Sequence, residues 1–411
     1  MRLTYAAMLL TTSSVLCGCI GGTGSSPGTL VPPAPAAVPN TLALSVDAGP
    51  AGANGTINHG YVTVTICAPG SQTQCATVDH VLLDTGSSGL RLVRSALGAL
   101  ALTAETDAQG RSIEECMSFV GGQTWGPVVV ADVTLAGEVA AKLPLQIMDD
   151  TSSGAPPPAT CGADGTLING VAGFGANGLL GVGVLAQDCG SLCVAAATPL
   201  PVYYGCTASG ACTAENAALT AQVGNPVVLF PTDNNGVIIN LPPLQNANGD
   251  ASLQGELIFG IATQTDNTPP ATGLTVLGAD AQGDFTATYN GGTAPLPALI
   301  DSGVDSYAFN DPTIAVCSSG AFVGYYCPAV APLSLFAVNM GAGAENAVNT
   351  VPFAVADPDT FVANAAAYAN LAGGGGSTRF TWGMPFFYGR KVYVGIEQHS
   401  AGSLTGPYYA Y

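Results

Sequence analysis

An apolar run that ends in Asp, then a hydroxyl residue, then Gly occurs twice in this chain. No other feature restricts the fold as much. The first copy is Val81-Leu82-Leu83-Asp84-Thr85-Gly86, continuing Ser87-Ser88-Gly89-Leu90; the second is Ala298-Leu299-Ile300-Asp301-Ser302-Gly303. The two Asp residues stand 217 positions apart (301 minus 84). A buried strand fixes where the carboxylate emerges, a hydroxyl can bond across to a facing loop, and Gly permits a tight turn. One such triplet is expected by chance roughly once in a Gly-rich chain of this length. Two, each closing an apolar strand and about half a large domain apart, form a much stronger signal.

The remainder of the chain suits a β fold. Charged residues make up 9% and hydrophobic residues 48% of 411, with 54 Gly and 29 Pro, a composition for short strands and tight turns. Tyr61–Ile66 alternates as a strand should, and Val78–Leu83, Pro127–Leu135, Val227–Phe230, Gly236–Leu241, Leu257–Ile261, Thr286–Tyr289 and Lys391–Ile396 are further strand candidates. Helical patterning is confined to Ser95–Leu102, Ala214–Gln222 and Pro358–Leu371. Gly154–Pro158 and Ala372–Ser377 read as surface loops. The fold class expected is all-β with few short helices.

Charge and cysteine usage bound the surroundings. Eight Lys and Arg against 27 Asp and Glu give a formal charge of −19, which repels phosphate backbones and anionic headgroups and argues against nucleic acid as a partner. Met1-Arg2 leads an apolar run through Val15, too short to span a bilayer, that closes on Leu16-Cys17-Gly18-Cys19. This end resembles a bacterial lipobox, which implies cleavage before Cys19 and lipid on its sulfur. Residues 1–19 are then a lipoprotein signal, and 20–40, rich in Gly, Ser, Pro and Ala, a tether. Localisation is expected in the cell envelope, at the outer membrane or periplasmic face, with membrane contact through that lipid only. Ile20 after Cys19 favours outer-membrane sorting.

Removing Cys17 and Cys19 from twelve cysteines leaves an even ten. Close spacing suggests the local pairs Cys67–Cys75, Cys189–Cys193, Cys206–Cys212 and Cys317–Cys327, with Cys116 and Cys161 free to pair with each other. Only His59, His80 and His399 are present, none at a ligand spacing, so neither a metal nor another cofactor is expected. His80, four residues before Asp84, is read as structural, and Asp149-Asp150 as an exposed turn.

With these features the chain resembles the pepsin-like aspartic peptidases and, within them, a bacterial lipoprotein branch of the DUF3443 type. Asn177-Gly178-Leu179-Leu180-Gly181-Val182-Gly183 looks like the strand that threads behind the first catalytic loop, and Phe380–Phe387 like its counterpart. Gly255–Gly260 is similar to the strand near the lobe junction, and Ser118–Val133 to the flap hairpin. The resemblance implies a monomeric, bilobal fold with lobes at 41–254 and 255–411 and a central cleft for an extended peptide or protein substrate. It implies a catalytic dyad of Asp84 and Asp301, supported by Thr85, Gly86, Ser87, Ser302 and Gly303, with Phe119, Gly121, Gly122 and Trp125 at the flap and cleft. Trp125 and Trp382 also fit a core role.

Three positions depart from that pattern. Phe119 stands where the flap usually carries Tyr, Arg91 where a supporting Trp is usual, and Val304-Asp305 where a hydroxyl is expected. A binding or inhibitor-like protein on the same fold is therefore an alternative to a peptidase. Serine and zinc hydrolases are disfavoured, because no Gly-x-Ser-x-Gly elbow follows a strand and no His-Glu-x-x-His occurs.

Overall fold

The computed structural model describes residues 39–162, 167–246, 248–374 and 378–411. Cys19, the signal segment and nearly all of the tether lie outside the described residues. From Val38 onward the chain forms one compact unit.

In chain order the strands are β1 (Thr41–Val46), β2 (Gly60–Cys67), β3 (Cys75–Asp84), β4 (Ser88–Val93), β5 (Ser112–Phe119), β6 (Gly122–Leu135), β7 (Glu138–Met148) and β8 (Gly178–Val182). There follow β9 (Tyr203–Cys206), β10 (Cys212–Ala214), β11 (Gly236–Leu241), β12 (Leu253–Phe259), β13 (Val276–Gly278), β14 (Phe285–Tyr289), β15 (Leu296–Ile300) and β16 (Tyr307–Phe309). The last are β17 (Leu333–Met340), β18 (Val348–Val355), β19 (Ala372–Gly374), β20 (Phe380–Trp382), β21 (Arg390–Gly395), β22 (Ser400–Ala401), β23 (Leu404–Thr405) and β24 (Tyr408–Ala410). The all-β expectation is met.

Two sheets carry the fold. A 15-stranded sheet runs β10-β9-β5-β6-β7-β4-β8-β3-β2-β1-β12-β11-β21-β24-β13, and a seven-stranded sheet runs β18-β17-β14-β15-β20-β16-β19. The same local arrangement occurs in both. β3 pairs in parallel with β8, and β4 returns antiparallel to β8. Likewise β15 pairs in parallel with β20, and β16 returns antiparallel to β20. Strands buried on both faces need unbroken apolar runs, which explains Leu179-Leu180 in β8 and Phe380 and Trp382 in β20, all essentially inaccessible. Residues 254 and 255, the expected lobe border, lie inside β12, which pairs with β1 on one side and β11 on the other. The segments expected as two lobes therefore share a sheet.

Helical expectations fail in all three places. At 95–102 only a single 3-10 turn forms, Arg94–Leu97, ended by Gly98 at a left-handed φ of 58°. In 214–222 the start belongs to β10, held to β9 by the Cys206–Cys212 bond, and only Leu219–Ala221 is helical. In 358–371 a 3-10 turn covers Pro358–Thr360, and Asn364 at φ 60° breaks the path. There Phe361 stacks on Tyr368 with centroids 4.5 Å apart, so ring packing replaces a helical repeat. Val227–Phe230, expected as a strand, is a 3-10 turn at Pro226–Leu229 capped by the Asn225 side chain. Ala372–Gly374, expected in a loop, is β19, parallel to β16.

All five cysteine pairs are formed as expected. Asp149 is not an exposed turn residue. It is buried, accepts bonds from Thr151, Ser153 and Gly154, and lies 3.4 Å from Arg94. His80 occupies a left-handed bulge in β3 (φ 48°), 3.4 Å from Asp47, with its ring edge against Tyr61. The bulge breaks the strand alternation at His80, and the residue is structural as expected.

Candidate active site

Each Asp-hydroxyl-Gly triplet leaves the end of a buried strand, and the two ends meet. β3 ends at Asp84, opposite Gly181 of β8; β15 ends just before Asp301. Loop hydroxyls lock the ends together. The Thr85 hydroxyl donates to the Ile300 carbonyl (2.8 Å) and accepts from the Ser302 N–H (3.0 Å). Ser302 reciprocates, donating to the Leu83 carbonyl (2.7 Å) and accepting from the Thr85 N–H (3.1 Å). Four buried hydrogen bonds thus close a symmetric lattice with no polar group left over.

This lattice sets the two carboxyls face to face. Gly86 N–H donates to Asp84 Oδ1 (2.7 Å) and Gly303 N–H to Asp301 Oδ1 (2.9 Å). Neither glycine is needed for φ, contrary to the expectation of a tight turn. Each is needed for space. A Cβ on Gly303 would lie 2.8 Å from the Asp84 carboxyl carbon, and one on Gly86 would overlap the Asp301 carboxyl.

The surroundings of the two acids differ at one position. Three residues after Asp84, the Ser87 hydroxyl donates to Asp84 Oδ2 at 2.5 Å. Three residues after Asp301 stands Val304, which has no hydroxyl to offer. Asp84 thus accepts two local hydrogen bonds where Asp301 accepts one. Burial pushes the Asp301 carboxyl well above the ordinary carboxylate range, and the adjacent Asp84 carboxylate, to which it is hydrogen-bonded, pushes it further.

A cleft of about 400 Å³ opens over the dyad. Its walls include Asp84, Asp301, Ser118, Phe119, Val120, Val304, Thr381 and Tyr409. The β5–β6 hairpin supplies Phe119 and the fully exposed tip Val120. Phe119 packs edge-on against Phe174 and lies over the Arg91 guanidinium (5.6 Å). Gly121 and Gly122 shape the turn without lining the cleft, and Gly121 has open space where a Cβ would point. Trp125 is a core residue and lines no part of the cleft. It is buried against Tyr204, with its indole N–H donating to the Ala155 carbonyl (2.7 Å). Asp305 is partly buried and accepts from the Tyr325 hydroxyl.

Sequence reasoning missed a buried ionic cluster at the edge of the cleft. Arg91 is inaccessible and reaches Glu115 through Nη2 (2.6 Å) and Nε (3.2 Å), Asp188 through Nη2 (3.1 Å), and the Ser88 carbonyl through Nη1 (3.0 Å). The Tyr203 hydroxyl donates to Asp188 (2.7 Å). Burial, and then Glu115 beside it, hold Asp188 well above the usual carboxylate range. The available signal was Arg91 itself, a cation inside the apolar run Leu90–Val93, which demands buried acidic partners. A second cleft cation, Arg379, was also missed; its Nη2 donates to Asp284 (2.6 Å). Among the described residues one cluster has metal-type side chains, Cys327, Asp357 and Asp359. Its Cys327 sulfur is committed to the bond with Cys317.

Paired Asp loops at the meeting of two related strand arrangements, under a hairpin, define the pepsin-like aspartic proteinase fold. A solved structure described as the aspartic proteinase from Irpex lacteus is similar, with a TM-score of 0.52 over 90% of this chain and 96% of that chain, at 14% identity. The chain belongs to the family described as Protein of unknown function (DUF3443), which matches residues 36–411. A comparison with curated proteins finds no match.

Proposed function

We propose that this protein is an aspartic-type endopeptidase that hydrolyses extended peptides with a water activated between Asp84 and Asp301. The observation that carries the reading is the reciprocal Thr85–Ser302 lattice, which holds two carboxyls in contact with one of them raised far above its ordinary pKa. Two carboxyls in contact cannot both ionise cheaply and so share a proton, the behaviour for which aspartic protease dyads are the standard case. Asp84, held by Ser87 and Gly86, takes a proton from water. Asp301 is the better holder of the shared proton and polarises the scissile carbonyl. The pair titrates as a unit.

Peptide hydrolysis by the full chain in detergent, from acid to neutral pH, tests the reading against Asp84→Asn and Asp301→Asn. Loss of cleavage in both folded variants is expected. A folded wild type that cuts no member of a broad peptide library would refute it. Phe119, which brings a ring but no hydroxyl to the flap, and Val304 favour a second reading, a non-catalytic peptide-binding scaffold. That scaffold would bind peptides equally well after either substitution.

The N-terminal sequence supports export and an envelope lipoprotein anchored by lipid on Cys19. Labelled fatty acid should be incorporated into wild type and absent from Cys19→Ala; equal labelling would exclude this anchor.

A further inference from the structure

We propose that Arg379 forms a carboxylate-binding subsite beside the dyad, so that the cleft selects peptides carrying an acidic group near the scissile bond. This inference rests on reading the cleft as a peptide-binding site. Strand register places the side chain there. Leu299 of β15 lies opposite Thr381 of β20, and Ala298 lies opposite Phe285 of β14. Continuing the β14–β15 ladder by one position puts Asp284 beside Leu299. Alternation then sets Arg379, two residues before Thr381, on the same cleft-facing side. Leu299, Thr381, Asp301 and Arg379 all line the cleft.

The two cleft cations are in different states. Arg91 is fully buried and its guanidinium is spent on Glu115, Asp188 and a carbonyl. Arg379 has a side chain 45% exposed, held among the described residues by one bond from Nη2 to Asp284, whose own side chain is 9% exposed. A guanidinium anchored at one corner keeps the rest of its fork for a planar, bidentate partner, the geometry a carboxylate offers. Arg379 and Asp301 line the same cleft, so a group bound there sits close to the reacting bond. The chain holds eight Lys and Arg in a molecule of net charge −19. Its long-range field disfavours acidic ligands, and a carboxylate must therefore be recognised by a specific contact. Among the described residues, Arg379 is the partly exposed cation of the cleft and can supply it.

The test uses the full chain and peptides identical except for Glu, Gln or Lys at each position around one cleavable bond, with free and amidated C-termini. The expected result is a preference for Glu over Gln at one position of at least about tenfold in kcat/KM. That ratio should fall to near one in Arg379→Gln and to an intermediate value in Arg379→Lys, which keeps the charge and loses the fork. Arg379→Lys also serves if the Gln variant fails to fold. If wild type but not Arg379→Gln prefers the free over the amidated C-terminus, the recognised group is the chain terminus; if the Glu-over-Gln preference is the same in both forms, it is the acidic side chain. No preference in wild type, or one that survives Arg379→Gln, overturns the proposal. So does a shifted pH profile with an unchanged Glu-to-Gln ratio, which would make Arg379 only a tuner of Asp301. If no peptide is cut, the same ratio is read from binding of fluorescent peptides. An Arg379-dependent preference in binding then keeps the subsite while the peptidase reading fails, and equal or absent binding overturns the subsite as well.

Discussion

Arg91→Met removes one cation and strands two acids. The Arg91 and Glu115 side chains are fully inaccessible and that of Asp188 is 2% exposed. Met approximates the length of the Arg stem, so the change is mainly electrostatic. Removing one partner of a buried ionic cluster costs about 3–5 kcal/mol, because the remaining charge has neither water nor counter-ion. The loss of the donor to the Ser88 carbonyl and of the cation over Phe119 adds to this. The cost depends on pH, and its sign is fixed by Asp188. The folded pKa of Asp188 is raised above its unfolded value by burial and by Glu115, and Arg91 opposes that rise. A raised acid contributes stability that is complete below the unfolded pKa and is lost as pH rises through the folded one. Without Arg91 this loss deepens, so the deficit relative to wild type should be larger at about pH 8 than at about pH 4. Urea unfolding followed by circular dichroism at both pH values measures it. Adding Glu115→Gln and Asp188→Asn to Arg91→Met should recover most of the stability. A deficit below about 1 kcal/mol, or one equal at both pH values, would refute the account.

Two further outcomes follow from buried polar groups elsewhere in the N-terminal half and at the dyad. Thr85→Val keeps shape but orphans the Ile300 carbonyl and the Ser302 N–H, at about 1–3 kcal/mol for each buried group; unfolding midpoints should fall, and Ser302→Ala should give a similar loss. Glu114 is buried, its Oε2 has no bonding partner, and burial raises its pKa from 4.5 to about 7. Its contribution to stability is present below about pH 4.5 and is lost by about pH 7, up to about 3 kcal/mol; Glu114→Gln should flatten that part of the melting-temperature profile, and an unchanged profile would count against the assignment.

Much of the site was legible because its signals are local. Each triplet names its own strand, hydroxyl and glycine within six residues, so Asp84, Asp301, Thr85 and Ser302 were identified in place, and the two threading strands after them. The five disulfides were legible for a related reason: four close loops of 4 to 10 residues, and the fifth joins the two cysteines left. Phe119 was placed at the hairpin through the resemblance of Ser118–Val133 to the family's flap, and it does sit beside the hairpin turn. Trp125 was not resolved between cleft and core, because strand alternation gives two faces without saying which one the chain covers. The three helices were over-read because short apolar spacings at 95–102, 214–222 and 358–371 are satisfied equally by turns packed on a sheet.

By itself, then, the sequence determined an all-β chain with two carboxyl-bearing strand ends, and its resemblance to the pepsin-like aspartic peptidases implied that they meet. A hydroxyl followed by glycine has little use after a buried Asp unless another loop faces it. Tertiary structure alone decided what surrounds that pair. The Arg91 cluster joins residues 24 and 97 positions apart, Arg379 meets Asp284 across 95, and β12 fuses the expected lobes by pairing with β1 more than 200 residues away. Such contacts are set by which faces of distant strands pack and which register they take. A periodicity of two reports alternation along one strand and carries no record of its neighbour.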